Sequence, residues 1–380
     1  MRISEMIQPE RLAQTFVQLC EIDSPSFQEK ALADYLQGLF ATEFKAEILE
    51  DDSAVRTGSD TGNLVIRIGD HQQRAPAFFF NCHLDTVEPA RGVKVRRRGD
   101  TFTSAGATIL GADDKAGIAM LIELARCLKE SKTTCPPLEF IFTTCEETGL
   151  LGAKNFDFRL PRARAGFALD SAGIDVAVIG APAANGYQAT IHGVAAHAGL
   201  HPENGINAIQ LAARAIAELP QGRLDEQSTA NIGLITGGQA TNIVADLAVV
   251  EGELRSHDTQ LLARYTEQIE KVFKQTVAAC HRSGEAAASL EFTVTEQFPL
   301  MRLEQASPVL LQLHKAAEQL RRPLRYAMAG GGSDANIFTA HGLPTAILGT
   351  GMTDVHTTDE SITLGDMVRT TELLLALAGD

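Results

Sequence analysis

A chain of 380 residues, 44% hydrophobic and 21% charged, is long enough for two domains, since domains usually run to about 100 to 200 residues. Its formal net charge of −15 argues against nucleic acid or an anionic membrane surface as partner, because both repel an acidic protein. No stretch approaches the ~20 apolar residues that span a bilayer, and the N-terminal MRISEMIQPERLAQ lacks the apolar core of a signal peptide, so a cytoplasmic protein is expected.

The first part of the chain has helical periodicity, and Ser26 with Glu29 reads as a capping box opening a helix from Lys30 to Phe40. Short apolar runs bounded by turn residues then predict strands at Asn63–Ile68, Pro76–Cys82, Leu138–Cys145, Ala165–Leu169 and Pro344–Leu348. The basic run Arg96-Arg97-Arg98 lies in a stretch that reads as a hairpin, where a solvated strand edge is the expected role. Helical patterns at Lys115–Lys129 and Pro308–Gln319 fall between the strands, which predicts an α/β fold, an α/β/α sandwich on a largely parallel sheet.

From Pro182 to Glu296 the pattern changes. Strand-like runs at Gly186–Gly193, Asn231–Ile235 and Leu247–Arg255 alternate with helical runs at Ile206–Leu219 and Gln260–Cys280. This β-α-β-β-α order predicts a separate α+β domain, residues 182–296, inserted into a discontinuous domain of residues 1–181 and 297–380. Gly330-Gly331-Gly332 reads as a loop, because regular patterns resume on both sides. Six cysteines, Cys20, Cys82, Cys127, Cys135, Cys145 and Cys280, form no CxxC pair, and Cys82 and Cys145 sit inside apolar runs, so buried thiols in a reducing compartment are expected.

In open parallel sheets ligands bind beyond the carboxyl ends of the strands. The residues that follow each apolar run are alike in kind. Cys82 leads to His83 and Asp85, Cys145 to Glu146 and Glu147, Leu169 to Asp170, and the last strand leads through a Gly-rich loop to His356; Asp113 and Asp114 open the helix near Lys115. A lone His or Asp at a strand end is ordinarily a turn residue or cap, but five such groups at one edge point to a metal site. Imidazole with carboxylates suits zinc, cobalt or manganese, and the lack of nearby thiolates argues against a structural zinc knot.

His83 and Asp85 are two apart, so in extended backbone they share a face, and Asp85 can hold the imidazole in the tautomer that presents a lone pair to metal. Glu146 and Glu147 would point to opposite faces of a regular strand. Both reach the site only where the pleat ends, one binding metal and the other handling protons.

At these residues the sequence resembles the family of di-zinc exopeptidases and deacylases that includes peptidase T, carboxypeptidase G, aminoacylase and succinyl-diaminopimelate desuccinylase. The resemblance spans nearly the whole chain and rests on His83-Leu84-Asp85-Thr86, Gly111-Ala112-Asp113-Asp114-Lys115-Ala116-Gly117, Cys145-Glu146-Glu147, Leu169-Asp170, Ala196-His197-Ala198-Gly199 and Val355-His356-Thr357. It implies two divalent ions, zinc first, with His83 and Asp170 on one, Glu147 and His356 on the other, and Asp113 bridging. It also implies that Asp85 orients His83, that Glu146 is the general base, and that the Asp113–Asp114 peptide is cis.

By the same resemblance the inserted region is a lid and dimerisation domain, and the protein a homodimer acting on short peptides. His197 resembles the residue that stabilises the oxyanion, reaching the partner subunit's site. Asn242 and Arg255 resemble substrate-binding residues, while their own chemistry equally allows a turn at Asn242 and a carboxylate pair at Arg255. The loop Gly330-Gly331-Gly332-Ser333-Asp334 is expected to approach the substrate backbone, with Gly331, Gly332 and Ser333 as its contact residues. The run Gly331-Gly332-Ser333-Asp334-Ala335-Asn336 with His356-Thr357-Thr358-Asp359-Glu360 points to the peptidase T-like branch, although the stretch from Asp85 to Asp113 is much shorter than in peptidase T itself. A carboxypeptidase or N-acyl-amino-acid deacylase on this scaffold is the rival enzyme. A catalytically silent metal-binding assembly protein is the rival outside enzymes, and the full ligand set with Glu146 argues against it.

Overall fold

Phe79–His83 and Leu138–Thr143 are buried at every position, as strands covered on both faces must be. They pair in parallel, Phe79–His83 pairs in parallel with Gly166–Ser171, and Gly166–Ser171 with Thr345–Gly349. These four strands are the centre of a nine-stranded sheet in a computed structural model that describes residues 3–69, 75–131, 136–280 and 287–379.

The sheet is parallel through this centre, as expected, and turns antiparallel on both sides. Leu64–Ile68 lies antiparallel to Leu138–Thr143 with Glu47–Glu50 outside it. On the other side Val176–Ala181, a strand absent from the sequence reading, lies antiparallel to Thr345–Gly349 and takes Met301–Arg302 and Arg325–Met328 as its own neighbours.

Helices bury apolar stripes against this sheet. Pro9–Cys20, with proline at its first position, turns Leu12, Ala13, Phe16, Leu19 and Cys20 inward at helical spacing. Ala112–Glu130 is buried almost throughout, and Leu364–Ala378 packs beside it. Phe40, Phe80, Phe140, Phe142 and Phe167 form a ring cluster with centroids 5.5 to 6.3 Å apart, in the range where aromatic pairs attract.

The helix expected to end at Phe40 runs from Lys30 to Phe44 and stops at Lys45, whose φ is 52°. Its capping box does not form. Ser26 Oγ donates instead to Asp85 Oδ2 at 2.6 Å, Glu29 is wholly buried, and the Lys30 N–H is satisfied by Asp60 Oδ1 at 2.9 Å. The reason is position: both side chains point at the end of the sheet, where stronger partners await them than the helix's own first turn.

Val95–Arg98 is the edge of a three-stranded sheet with Thr101–Ser104 and Ser361–Thr363, so the basic run is the solvated edge expected of it. Arg97 pairs with Glu10 at 2.7 Å and lies over the Phe102 ring. Cys20, Cys82, Cys127 and Cys145 are free and buried, and Cys280 is free and partly exposed; Cys135 lies outside the described residues. Among the described residues no helix is long and apolar enough to cross a membrane.

The chain divides into two units, Met1–Ala181 with Met301–Asp380, and Pro182–Leu300. The second holds a five-stranded antiparallel sheet ordered Gly222–Arg223, Ser228–Gly237, Leu247–Ser256, Ala183–His192, Ser289–Phe298. Helices Ala208–Glu218 and Thr259–Ala278 bury Leu211, Ala215, Ile269 and Phe273 in its core. Asp258 caps the longer helix, accepting from the Gln260 and Leu261 amides at 2.8 and 3.0 Å. The strand Ser289–Phe298 is absent from the sequence reading; its side chains are exposed or half-exposed, with Leu290, Phe292 and Val294 alternating with polar residues.

Candidate metal centre

His83 is the last residue of its strand and is buried. Its Nδ1 lies 2.9 Å from the main-chain carbonyl of Asp85, and since a carbonyl only accepts, Nδ1 carries a proton and Nε2 is the ring nitrogen turned toward Asp113 and free to serve a cation. Asp85 meets the ring through its carbonyl, and its carboxylate Oδ1 stands further off at 3.5 Å. That carboxylate is engaged elsewhere. It accepts from the main-chain N–H of Glu146 at 2.9 Å and of Glu147 at 3.2 Å, besides the Ser26 hydroxyl.

Glu146 and Glu147 follow Cys145, a non-glycine residue at φ 51°. A left-handed residue there ends the pleat, and both glutamates line the same cavity. Asp113 enters from the start of the helix Ala112–Glu130, at φ −84° and ψ 105°, and the Asp113–Asp114 peptide is cis. Its Oδ1 lies 3.0 Å from His83 Nε2 and its Oδ2 3.4 Å from His356 Nε2. His356 Nε2 is also 2.9 Å from Glu147 Oε1. Ligand atoms of His83, Asp113 and Glu147 all lie within 4.8 Å of one another.

The cavity measures about 290 Å³ and is also lined by Asp170, Gly331, Gly332 and Ser333, with Val178, Ile347, Met352 and Val355 as an apolar wall. Asn336 Oδ1 accepts from the Ser333 N–H at 3.1 Å and holds the glycine loop to the helix Asp334–Ala340. Close packing behind the centre is set at Gly117, where a Cβ would collide with Asp114 Oδ1 and Cys82 Sγ.

His197, Asn242 and Arg255 belong to the second unit. His197 is exposed and bridges to Ile243, and the Asn242 carbonyl accepts from the Ala198 N–H at 2.9 Å. The His197 Nδ1 accepts from the Gly199 and Leu200 amides at 3.1 and 3.2 Å, which leaves the ring proton on Nε2. Arg255 pairs with Glu253 at 3.0 Å and lies 5.9 Å from the centroid of the Phe298 ring.

A model of the peptidase dimerisation domain of the M20 family matches residues 179–279, and one of the M42 glutamyl aminopeptidases matches residues 100–191. The Bacillus subtilis protein YqjE is 36% identical over 373 residues, 98% of each chain. The structure of aminopeptidase PepT from Bacillus cereus superposes with a TM-score of 0.88 at 37% identity, and that of a tripeptidase from Staphylococcus aureus with 0.91 at 34%; both comparisons cover 98% of each chain. The chain belongs to the M20 peptidases, on the peptidase T-like branch. It is a metallo-exopeptidase of that branch.

The donor atoms of this M20 peptidase suit divalent cations. They are imidazole nitrogens and carboxylate oxygens, and Asp113 turns one oxygen to each histidine. Among the described residues lining the cavity there is no Lys or Arg to balance Asp113, Glu146, Glu147 and Asp170. The titration of the cluster registers this shortage of positive charge. Burial, with the charge of Asp170, pushes Glu146 well above the ordinary carboxylate value. Burial, with Asp113, raises Asp170 to about 8. Hydrogen bonds to Asp113 and Glu147 lift His356 to about 10. Burial alone would lower the pKa of His83, but its bonds to Asp113 and Asp85 raise it well above the imidazole value.

Glu29 and Glu360 carry no site role in the sequence reading, and Asp334 enters it only within the loop expected to approach the substrate. Glu29 accepts from the Cys145 N–H at 2.9 Å. Glu360 accepts from the turn that carries Asp113. Asp334, buried beside Glu146 and raised to about 6 by burial, accepts from the Thr143 hydroxyl. Nothing in the sequence gives Glu29 or Glu360 a part in the site, and their burial is what marks them.

Proposed function

We propose that this M20 peptidase is a cytoplasmic, homodimeric tripeptide aminopeptidase using two divalent ions, zinc before cobalt or manganese. His83 and Asp170 would hold one ion, Glu147 and His356 the other, with Asp113 between them. The observation that carries this reading is the Asp113 carboxylate, one oxygen toward each histidine. Two cations so held supply Lewis-acid polarisation of the scissile carbonyl and acidify the attacking water. Glu146 is the general base. It takes a proton from that water and passes it to the leaving amine, a role supported by its burial and raised proton affinity.

His197 is the proposed oxyanion donor, supported by the proton left on its Nε2, and it is proposed to act on the partner subunit's substrate. Gly331, Gly332 and Ser333 would meet the substrate backbone, and Asn242 and Arg255 its distal groups. The homodimer is supported by the dimerisation-domain match and by the strand Ser228–Gly237, whose neighbour Gly222–Arg223 pairs only with Thr229 and Ala230 and whose Leu234 and Ile235 are exposed. The free buried thiols support a reducing compartment. The tripeptide assignment draws on the Bacillus cereus aminopeptidase and the Staphylococcus aureus tripeptidase.

The test is a panel of free, N-acetylated and C-amidated di- and tripeptides with metal-loaded enzyme. Cleavage blocked by N-acetylation and not by C-amidation is expected. The reverse pattern would make it a carboxypeptidase, and preferred cleavage of the N-acyl group a deacylase.

A further inference from the structure

Four residues beyond His356 the chain turns a carboxylate back into the molecule. Glu360 is 1% exposed. Its Oε2 accepts from the Leu110 and Gly111 amides at 2.8 and 2.7 Å, and its Oε1 from the Asp113 amide at 3.0 Å. Among the described residues it makes no ion pair with Lys or Arg. Burying a carboxylate is costly; Lys115 lies near enough to interact with it electrostatically, and three charge-assisted bonds tie it to a single turn. That turn delivers Asp113.

The other end of the connection is equally specific. Glu360 N donates to the Thr357 carbonyl at 3.2 Å, and Thr353 and Ser361 exchange main-chain bonds at 2.9 and 3.1 Å, so His356 and Glu360 ride on one closed loop. His356 itself is half-exposed, stands at φ 64°, and reaches the centre only through Nε2. Among the described residues no other contact of its side chain fixes its distance from Asp113.

We propose that Glu360 is a positioning residue that locks the loop carrying His356 to the turn carrying Asp113, and so sets the spacing of the ligands to one of the two ions. The proposal rests on the reading of Asp113 and His356 as ligands. Glu360→Gln keeps the shape but replaces one acceptor by an amide nitrogen, which must face either the Asp113 N–H or the Leu110 and Gly111 N–H groups.

The experiment is a cobalt titration of metal-free protein against a competing chelator, with the visible spectrum recorded at each step. Wild type is expected to bind two ions. Glu360→Gln is expected to weaken one of them at least ~10-fold, in the range for residues that orient ligands, to change its absorption bands, and to leave the other within about threefold. Glu139→Gln is the control, a buried carboxylate that also accepts main-chain N–H bonds, from Arg162 and Ala163, at the opposite end of the strands from His83; it is expected to leave both ions unchanged. Wild type binding fewer than two ions would sink the two-ion reading itself. Wild type binding two, with Glu360→Gln unchanged in affinity and spectrum, overturns the positioning role, as does an equal loss in Glu139→Gln. Should Glu360→Gln not fold, Glu360→Asp, which withdraws the carboxylate by one methylene, takes its place with the same expected selective loss and the same overturning result.

Discussion

The Glu29 carboxylate accepts the main-chain N–H of Cys145 at 2.9 Å, across 116 positions of sequence. Glu29 also takes the Ser59 hydroxyl at 2.7 Å and the Phe27 N–H at 3.1 Å. The bond matters because Cys145 is held in the left-handed region, where a side chain costs about 1–2 kcal/mol, and that conformation brings both Glu146 and Glu147 into the cavity.

Removing the brace should uncouple the two glutamates from the site. Glu29→Ala leaves the buried Cys145 amide without its acceptor, at a cost of about 1–3 kcal/mol, and is expected to lower kcat about tenfold or more as the turn relaxes, while Glu29→Gln, which retains one acceptor oxygen, stays within a few-fold of wild type in kcat. Denaturant unfolding with steady-state kinetics decides it; full kcat in the alanine variant would show that the turn holds itself.

Glu146 and Glu147 should part company on substitution. Glu146→Gln is expected to lose at least ~10²-fold in kcat, as general-base removal does, with metal content intact. Glu147→Gln should lose occupancy of one ion. Elemental analysis beside kinetics separates the two, and equal metal loss in both would mean the roles are wrongly assigned.

His197→Asn keeps an acceptor for the Gly199 and Leu200 amides but has no counterpart of Nε2–H. It should fold, bind both ions and dimerise, yet turn over at least ~10²-fold more slowly. Heterodimers of His197→Asn and Glu146→Gln subunits are expected to regain about half the wild-type activity, since one site of two would then be intact. No recovery after verified exchange would confine His197 to its own chain or remove it from catalysis.

The metal-free protein should lose stability as pH rises. Asp170 stands at about 8 against an ordinary 3.8, raised by burial and Asp113, and His356 at about 10 against 6.5, raised by its bonds to Asp113 and Glu147. Between the ordinary and the raised values the folded state holds more protons than the unfolded one, so stability falls with pH, from about pH 4 to 8 for Asp170 and about 6.5 to 10 for His356. Asp113, held below its ordinary value by its bonds to both histidines despite burial, acts in the opposite sense only under pH 3.8. Calorimetry of chelator-treated protein from pH 5 to 9 should show Tm falling, and the gap to metal-loaded protein widening. A metal-free Tm that rises over this range would contradict the charge assignment.

How much of this was legible beforehand follows from the range of the signals. Apolar runs mark the central strands because those strands are buried on both faces, and the ligands stand out because His, Asp and Glu are improbable directly after such runs. Ser26 and Glu29 misled because a capping box is a four-residue pattern, while the partners that claim them, Asp85 and Cys145, lie 59 and 116 positions away. Glu360 shows no role within the run His356–Glu360 for the same reason: its partners are about 250 positions distant. Val176–Ala181, an all-apolar run, and Ser289–Phe298, in which Leu290, Phe292 and Val294 alternate with polar residues, carry strand patterns that the sequence does show.

The place of Thr345–Gly349 in the sheet has a consequence for synthesis. It lies between Gly166–Ser171 and Val176–Ala181, two strands only a short loop apart in sequence. A nascent chain that has already made both, and the whole of Pro182–Leu300 after them, still carries an open seam in the middle of its sheet. Unpaired strand edges of that kind recruit other chains. This strand, the last in chain order of its sheet, closes the seam and is followed within a few residues by His356, so a chain truncated before it lacks both that proposed ligand and the interior of its fold.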